Sequence, residues 1–282
     1  MASATEVLNR IWYSNSPLRW GLWPVSAVYL ALTRLRRTAY RRGWRPVVES
    51  PVPIVVVGNV SVGGTGKTPF VIWLAEQLKQ RGRRVGIVTR GYRGKGTEWP
   101  RMVAPDSDPE EVGDEPVLLA RRTGCPVVAG PDRVACVEAL LKTARVDVVL
   151  TDDGLQHYRL GRSFEIAVVD GARGMGNGLC LPAGPLREPV SRLQEVDAIV
   201  VNGGDWGHAG VFRATAVVTK VYSLQDGTLR TLDSFRAEPV HAVAGIGNPQ
   251  RFFDLLLNAG LDVEAHPLAD HAAIGPDQLT FD

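Results

Sequence analysis

The chain has 282 residues, 45% hydrophobic and 22% charged, with a formal net charge of +2. This composition is typical of a globular protein and argues against a disordered or collagen-like chain. Its three cysteines, Cys125, Cys136 and Cys180, have no metal-ligand or CxxC spacing, so we expect reduced or buried thiols of an intracellular protein and not a disulfide framework.

Residues 17–45 predict an amphipathic helix with a basic end. Its longest apolar part, 20–32, is too short to span a membrane, and the first residues lack the pattern of a secretory signal. Aromatic rings and arginines suit a helix that lies at a membrane interface; a helix packed on the protein core with a solvated basic end is the alternative. The stripe is Leu22, Trp23, Val25, Val28, Tyr29, Leu32 and Leu35, the arginines are Arg34, Arg36, Arg37, Arg41, Arg42 and Arg45, and further rings are Trp20, Tyr40 and Trp44.

Residues 49–209 read as a series of βα units. Buried parallel strands appear as apolar runs that end in polar or glycine residues, and open α/β sheets bind ligands at those ends. We therefore predict an α/β fold, a P-loop NTPase-type doubly wound and mostly parallel sheet. The apolar runs are 53–59, 85–91, 125–130, 147–153, 165–171 and 197–203, with helical stretches at 69–80 and 132–143.

Two smaller segments follow this core. Residues 210–235 predict a β-ribbon around the turn pair Asp226-Gly227. Residues 236–282 predict a strand, a glycine-rich turn and a helix of a smaller α/β lobe. That pattern is unfinished at Asp282, so we expect a partial sequence. The predicted organisation is an N-terminal membrane-associated segment at 1–48, a core at 49–209, a ribbon at 210–235 and a smaller lobe at 236–282.

The strand at 54–57 leads into SVGGTGKT, a Walker A sequence in which serine replaces the first glycine. Glycines allow backbone N–H groups to surround phosphate oxygens, the lysine neutralises the β- and γ-phosphates, and the threonine hydroxyl contacts Mg²⁺. The following helix directs its positive end at the phosphates. The loop predicts binding of ATP and Mg²⁺ through Ser61, Val62, Gly63, Gly64, Thr65, Gly66, Lys67 and Thr68.

Acidic residues follow the strand at 147–153, in the sequence TDDGLQH. A carboxylate at the end of a strand beside the phosphate-loop strand holds Mg²⁺ in Walker B sites. Asp152 and Asp153 are therefore candidate metal ligands, with Gln156 and His157 nearby; a polar strand end with an aspartate cap is the alternative.

Other candidates are less specific in the sequence alone. Asp114 and Glu115 precede a helical stretch, where N-terminal capping and catalysis are both open readings. His271 is a lone histidine, which in proteins is more often structural or exposed than catalytic. Basic residues in loops after strands suit phosphate or lipid-headgroup binding, or surface ion pairs; these are Arg90, Arg93, Lys95, Arg133 and Arg187, with the acid Glu188 next to Arg187.

Taken together, the motifs resemble the tetraacyldisaccharide 4′-kinase family from about residue 15 to 275. They are VGNVSVGGTGKTP, TRGYRGK, GDEP, AGPDR, TDDGLQH, AGPLRE, VNGG and ADH, in that order. The resemblance implies ATP-dependent phosphorylation of the 4′-hydroxyl of a tetraacyldisaccharide 1-phosphate to give lipid IVA, in lipid A biosynthesis. It also implies a peripheral enzyme at the cytoplasmic face of the bacterial inner membrane, with two α/β lobes joined by a β-ribbon.

The resemblance assigns roles to individual residues. Asp114 matches the catalytic base and His271 the histidine that pairs with it. Thr68, Asp152, Asp153 and Glu188 match positions near the metal and nucleotide, and Arg90, Glu115, Arg133, Gln156, His157 and Arg187 match polar active-site positions. The chain departs from the family pattern at Ala269 and Ala272, which flank Asp270 and His271, and it lacks the later TEKD-type motif.

Two other functions remain open at this stage. One is a P-loop enzyme acting on a soluble small molecule, which would need no membrane helix. The other is a membrane-associated P-loop ATPase or switch without a lipid acceptor. Nucleic-acid binding is not expected, because the basic residues cluster in one helix with aromatic rings and no reader motif is present. We expect a monomer.

Overall fold

Valine- and isoleucine-rich segments build the large sheet of the protein. The computed structural model, which describes residues 4–14, 16–218, 220–269, 272 and 274–281, contains an eight-stranded sheet in the order β3-β4-β2-β5-β1-β6-β7-β8. Six neighbouring strands, β4, β2, β5, β1, β6 and β7, pair in parallel, and β3 pairs antiparallel with β4. The predicted mostly parallel α/β fold is confirmed. The strands are β1 (Ile54–Gly58), β2 (Val85–Thr89), β3 (Arg101–Val103), β4 (Val127–Ala129), β5 (Val148–Asp152), β6 (Phe164–Asp170), β7 (Ala198–Asn202) and β8 (Phe212–Ala214).

The chain order of the strands creates a ligand-binding edge. From β1 the chain proceeds to β2 and β4, returns to β5 beside β1, and continues with β6 and β7 on the other side. The carboxyl ends of β1, β5 and β6 therefore meet where the direction of winding reverses, which is where open α/β sheets bind ligands.

Helices connect these strands, and apolar side chains fill the space between helices and sheet. Val56, Val88 and Val149 are at most 1% exposed and belong to one cluster with Leu140 of a connecting helix. Complete burial of one such side chain contributes about 1.5–3 kcal/mol. The connecting helices are α3 (Lys67–Gln80), α4 (Pro109–Val112), α5 (Asp114–Thr123) and α6 (Arg133–Thr143), with a 3₁₀ helix at Val190–Glu195.

Two helices precede the sheet, α1 (Ala4–Tyr13), which the sequence analysis did not predict, and α2 (Leu18–Arg41). The predicted apolar stripe of α2 is divided: Leu22 and Tyr29 are partly buried with the fully buried Ser26, whereas other members face solvent. The exposed apolar residues that share one face are Leu18, Val25, Val28, Leu32 and Leu35, each about 60% exposed. Among the described residues, no helix combines the length and hydropathy that a membrane crossing requires.

The chain divides into two units, Met1–Arg213 and Ala214–Asp282. Residues 1–48 therefore group with the large sheet. The smaller unit has its own core around Phe253 and Leu256. Within 210–235, two short strands pair antiparallel around Gly227, while β8 joins the large sheet. The elements of the smaller unit are β9 (Val221–Tyr222), β10 (Leu229–Arg230), β11 (Val240–Ala244), α7 (Pro249–Asn258) and β12 (Val263–Pro267), with 3₁₀ helices at Leu232–Phe235 and Pro276–Leu279.

Candidate functional site

The connection between β1 and α3 has the geometry of a phosphate-binding loop. It turns at Gly63 (φ 101°) and Gly66 (φ 85°), in the left-handed region that glycine adopts without steric cost. Helix α3 begins immediately afterwards at Lys67, so the unpaired N–H groups of its first turn lie at the end of the loop. This arrangement suits an anion such as a polyphosphate.

Neighbouring segments hold the loop in shape. The Val62 amide donates to the Pro185 carbonyl at 2.8 Å, and the Arg187 amide donates to the Val60 carbonyl at 2.7 Å. On the other side, the Asn202 side chain at the end of β7 donates to the carbonyl of Thr65 at 2.9 Å. The loop is therefore held before any ligand arrives, which lowers the ordering cost of binding.

Thr68 and Asp152 form a buried pair at the start of α3 and the end of β5. Thr68 Oγ1 donates a 2.9 Å hydrogen bond to Asp152 Oδ2. Asp152 Oδ1 is buried and accepts no hydrogen bond within the described part of the chain. Burial raises the pKa of Asp152, and the charge of Lys67 opposes this rise. A hydroxyl beside a carboxylate with an unused oxygen matches the ligand chemistry of Mg²⁺.

Asp153 pairs with two cations of the site. Arg187 Nη1 lies 2.9 Å from both carboxylate oxygens, and Lys67 Nζ lies 3.7 Å from Oδ1. Burial alone raises the pKa of Asp153, but Lys67 and Arg187 outweigh burial and lower it to about 2. Asp153 is therefore ionised near neutral pH and balances the charge of the phosphate-loop lysine.

Arg133 supports the same strand end, and its charge acts on His157. Arg133 is 1% exposed and donates to the carbonyl oxygens of Gly130 (2.7 Å) and Asp152 (3.1 Å). Burial, followed by the charges of Arg133 and the exposed Arg90, lowers the pKa of His157 to about 4. The imidazole of His157 is consequently neutral at pH 7.

Glu188 is fully buried and already accepts hydrogen bonds at both oxygens. Gln156 Nε2 donates to its Oε2 at 2.8 Å, the Tyr158 hydroxyl donates to its Oε1, and Arg192 Nε lies 3.9 Å from Oε1. Gln156 also donates to the Asn59 carbonyl at the start of the phosphate loop, at 3.1 Å. These contacts favour a positioning role for Glu188 over direct metal ligation.

Asp114 is the exposed first residue of α5, and its Oδ1 accepts a 2.9 Å hydrogen bond from the Glu115 amide. The turn before it requires glycine, because Gly113 has φ 94° and an added Cβ would lie 2.6 Å from the Tyr92 carbonyl oxygen. The backbone at Gly113 therefore lies directly against the loop that follows β2, which places the start of α5 at the carboxyl edge of the sheet. The predicted partner His271 lies outside the described residues.

Arg173 is a candidate that the sequence analysis missed. It follows β6, its guanidinium lies 5.4 Å from the Tyr13 ring centroid, and it borders a small cavity lined by phosphate-loop residues. A Cβ added at Gly63 would lie 3.8 Å from Arg173 Nη1. Its position after a predicted strand, in DGARG, was the available signal. Tyr158 and Arg192, which contact Glu188, were also missed; the fold brings Tyr158 to that carboxylate, whereas Arg192 follows it by four residues.

Helix α2 contacts the loops of the site directly. Ser26 Oγ donates to the Cys180 carbonyl at 2.6 Å, the Tyr29 hydroxyl donates to the Arg187 carbonyl at 3.0 Å, and Arg36 Nη2 donates to the Gln156 carbonyl at 3.4 Å. The helix that carries the exposed apolar face is thus attached to the segments that hold Asp153 and Glu188.

Comparison with known proteins identifies one family. The family model described as LpxK, tetraacyldisaccharide-1-P 4′-kinase, matches residues 18–282. A tetraacyldisaccharide 4′-kinase of Nitrosococcus oceani is 50% identical over 281 residues, which cover 100% of this chain and 82% of that protein. One from Alkalilimnicola ehrlichii is 55% identical over 268 residues, covering 92% of this chain and 78% of that protein.

A solved structure shares the fold. LpxK from Aquifex aeolicus, described as an "apo" form in complex with ATP, superposes with a TM-score of 0.77 at 31% identity. The match covers 90% of this chain and 83% of that one.

Proposed function

The chain belongs to the tetraacyldisaccharide-1-P 4′-kinase family, and we propose that it transfers the γ-phosphate of ATP to the 4′-hydroxyl of tetraacyldisaccharide 1-phosphate. The observation that carries the proposal is the phosphate loop joined to the buried Thr68–Asp152 pair. The proposed acceptor, tetraacyldisaccharide 1-phosphate, is the one named in the description of the family.

The nucleotide side of the reaction rests on the loop and its cations. The loop amides and Lys67 bind the β- and γ-phosphates, and the Lys67–Asp153 contact of 3.7 Å is long enough for the lysine to turn to a phosphate oxygen. Thr68 and Asp152 are the residues suited to Mg²⁺, which offsets phosphate charge when it is bound. Asp153 and Glu188 keep the surrounding cations and loops in position.

The acceptor side rests on Asp114. Its place at the start of α5, on the carboxyl edge of the sheet, suits a general base that takes the proton of the sugar hydroxyl. We assign the orientation of this carboxylate to His271, as in the family pattern. Because phosphoryl transfer depends mainly on positioning and electrostatics, a carboxylate of ordinary basicity is adequate here.

The acyl chains of the substrate require access from a lipid surface. The exposed apolar face of α2 and the arginines at its end support peripheral binding to anionic lipid at the cytoplasmic face of the inner membrane. The hydrogen bonds from α2 to the site loops bring that surface to the kinase centre.

The direct test is phosphate transfer by purified protein in detergent, with γ-labelled ATP, Mg²⁺ and tetraacyldisaccharide 1-phosphate. We expect labelled lipid from the unmodified protein and from Asp106→Asn, a control in an exposed turn. We expect a loss of at least about 100-fold in Lys67→Ala and Asp114→Asn, since each removes a charge used in the transition state. ATP hydrolysis without labelled lipid would instead support a P-loop ATPase or switch and reject the kinase proposal.

A further inference from the structure

The strand pair β11–β12 of the smaller unit gathers a second set of metal-ligand side chains. The two strands are parallel, with His241 opposite Glu264 and Val243 opposite His266. Side chains two residues apart on one strand share a face, so both histidines and the glutamate project from the same side of the pair. Ala242 and Ala244, on the other face, pack in the core with Phe253 of α7.

The ligand atoms lie close together. His241 Nδ1 is 3.0 Å from His266 Nε2, and the carboxylate oxygens of Glu264 lie 3.5 Å from the first nitrogen and 3.9 Å from the second. One ligand atom from each residue falls within 4.8 Å of the others. Two imidazole nitrogens on a tetrahedral zinc ion, with bonds of about 2.0–2.1 Å, would be about 3.3 Å apart. The observed separation needs only a small adjustment to admit such an ion.

The surroundings restrict the two rings without closing the site. The Phe281 ring stacks on His241 with a centroid distance of 4.2 Å and lies 4.5 Å from the His266 ring. The histidine side chains are about 30% exposed and the Glu264 side chain is 62% exposed, so an ion has access from solvent. Restricting the rings reduces the entropy that metal binding must overcome.

We propose that His241, Glu264 and His266 form a binding site for a divalent transition-metal ion such as Zn²⁺, separate from the Mg²⁺ site of the phosphate loop. Two imidazole nitrogens and one carboxylate oxygen suit zinc and similar ions, whereas Mg²⁺ prefers oxygen ligands alone. The ion would join β11 to β12. Three protein ligands leave a position for water.

The competing explanation is a hydrogen-bonded histidine pair with no metal function. In that state one ring donates its N–H to the lone pair of the other. Metal binding requires lone pairs at both nitrogens, so the ion displaces the shared proton. The two explanations differ in whether the purified protein takes up zinc.

The test is titration of the full chain, after removal of any affinity tag and without nucleotide, with Zn²⁺ followed by calorimetry and with Co²⁺ followed by its visible absorption. We expect one equivalent of either ion to bind. Replacing a ligand with His266→Ala or with the shape-conserving Glu264→Gln should weaken binding at least about tenfold, since loss of even an outer-shell partner costs 10–100-fold. His208→Ala, at an exposed histidine elsewhere in the chain, is the matched control and should bind like the unmodified protein.

A second readout separates loss of the site from loss of the fold. Zn²⁺ should raise the melting temperature of the unmodified protein and of Asp152→Asn, whose metal site in the phosphate loop is impaired, but not that of Glu264→Gln. Absence of zinc binding to the unmodified protein, or equal binding by Glu264→Gln and His208→Ala, would overturn the proposal.

Discussion

At the residue scale, two opposing effects act on the pKa of the Asp152 carboxylate. It is 2% exposed, and burial raises its pKa, while Lys67 lowers it. One oxygen accepts the Thr68 hydroxyl and the other has no partner in the part of the chain that the structure describes. An unsatisfied buried carboxylate oxygen costs stability, and this cost has a functional explanation if the oxygen binds a hydrated cation.

Asp152→Asn tests this explanation. The amide retains the shape and can still accept from Thr68, but it lacks the charge that holds Mg²⁺. We expect turnover to fall at least about 100-fold and the folded state to persist, measured by Mg²⁺ titration of the kinase rate and by circular dichroism. Asp147→Asn, just before the opposite end of β5 in an exposed ion pair with Arg84, is the matched control. Unchanged Mg²⁺ dependence in Asp152→Asn would exclude the metal role.

A further prediction concerns the effect of His157 on the pH dependence of folding stability. Its folded pKa of about 4 lies below the usual value of about 6.5, so the unfolded chain binds the proton more readily. The contribution of neutral His157 to the free energy of unfolding is therefore fully present above pH 6.5. It is lost as pH falls toward 4, and the loss is at most about 3 kcal/mol.

Urea unfolding of unmodified protein and His157→Gln between pH 7 and 4 measures this loss. The stability of the unmodified protein should fall more steeply with acid than that of His157→Gln, and His208→Gln should behave like the unmodified protein. Equal slopes for the unmodified protein and His157→Gln would show that His157 titrates normally in the folded state.

At the scale of elements, α2 has two faces with different tasks. One face carries Ser26 and Tyr29, which donate hydrogen bonds to the loops at Cys180 and Arg187. Another face exposes five aliphatic side chains. A contiguous exposed apolar surface on a helix with a basic end is more readily explained by lipid contact than by solvent exposure alone.

Replacing Val28 and Leu32 with serine should reduce binding to anionic vesicles. Each side chain contributes up to about 1.5–3 kcal/mol when transferred from water, and 1.4 kcal/mol is tenfold in affinity, so we expect at least a tenfold loss in vesicle flotation. Nucleotide binding should remain, because neither residue faces the site loops. Leu224→Ser, at a fully exposed leucine of the smaller unit, is the control. Equal flotation of both variants would argue against α2 as the lipid contact.

At the scale of the whole molecule, the two units each have a separate apolar cluster, one around Val56 and Leu140 and one around Phe253 and Leu256. The phosphate loop, Asp152 and Asp114 belong to the larger unit, and the proposed zinc site belongs to the smaller one. We therefore expect the nucleotide to stabilise mainly the larger unit and zinc to stabilise mainly the smaller one.

A non-hydrolysable ATP analogue with Mg²⁺ should raise the unfolding free energy by about 2.7 kcal/mol at a concentration 100 times its Kd. Calorimetry should show this shift, and hydrogen exchange should show the new protection at residues 59–68. Lys67→Ala should show neither. Protection confined to the smaller unit would contradict the assignment of the nucleotide site.

Several features were predictable from the sequence because they depend on local pattern. The apolar runs predicted the parallel strands, since strands covered on both faces need continuous hydrophobic stretches. The phosphate loop was predictable because its glycines and Lys67 are adjacent in the chain. The short strands β3 and β8 were missed, because three-residue strands carry little pattern. Arg173 and Tyr158 were missed because their partners are distant in sequence. Arg192 lies only four residues after Glu188, but its ion pair with the distant Glu165 was not visible in the sequence.

The sequence by itself determined the fold class, the phosphate loop and the family, because contiguous residues carry those signals. Only the tertiary structure decided how the acids are used: Asp152 has one oxygen without a partner among the described residues, Asp153 is paired with Lys67 and Arg187, and Glu188 accepts a hydrogen bond at each oxygen. The division of α2 into a buried and an exposed apolar face was likewise decided by tertiary contacts. Helical spacing shows which residues share a face, but burial depends on what packs against it.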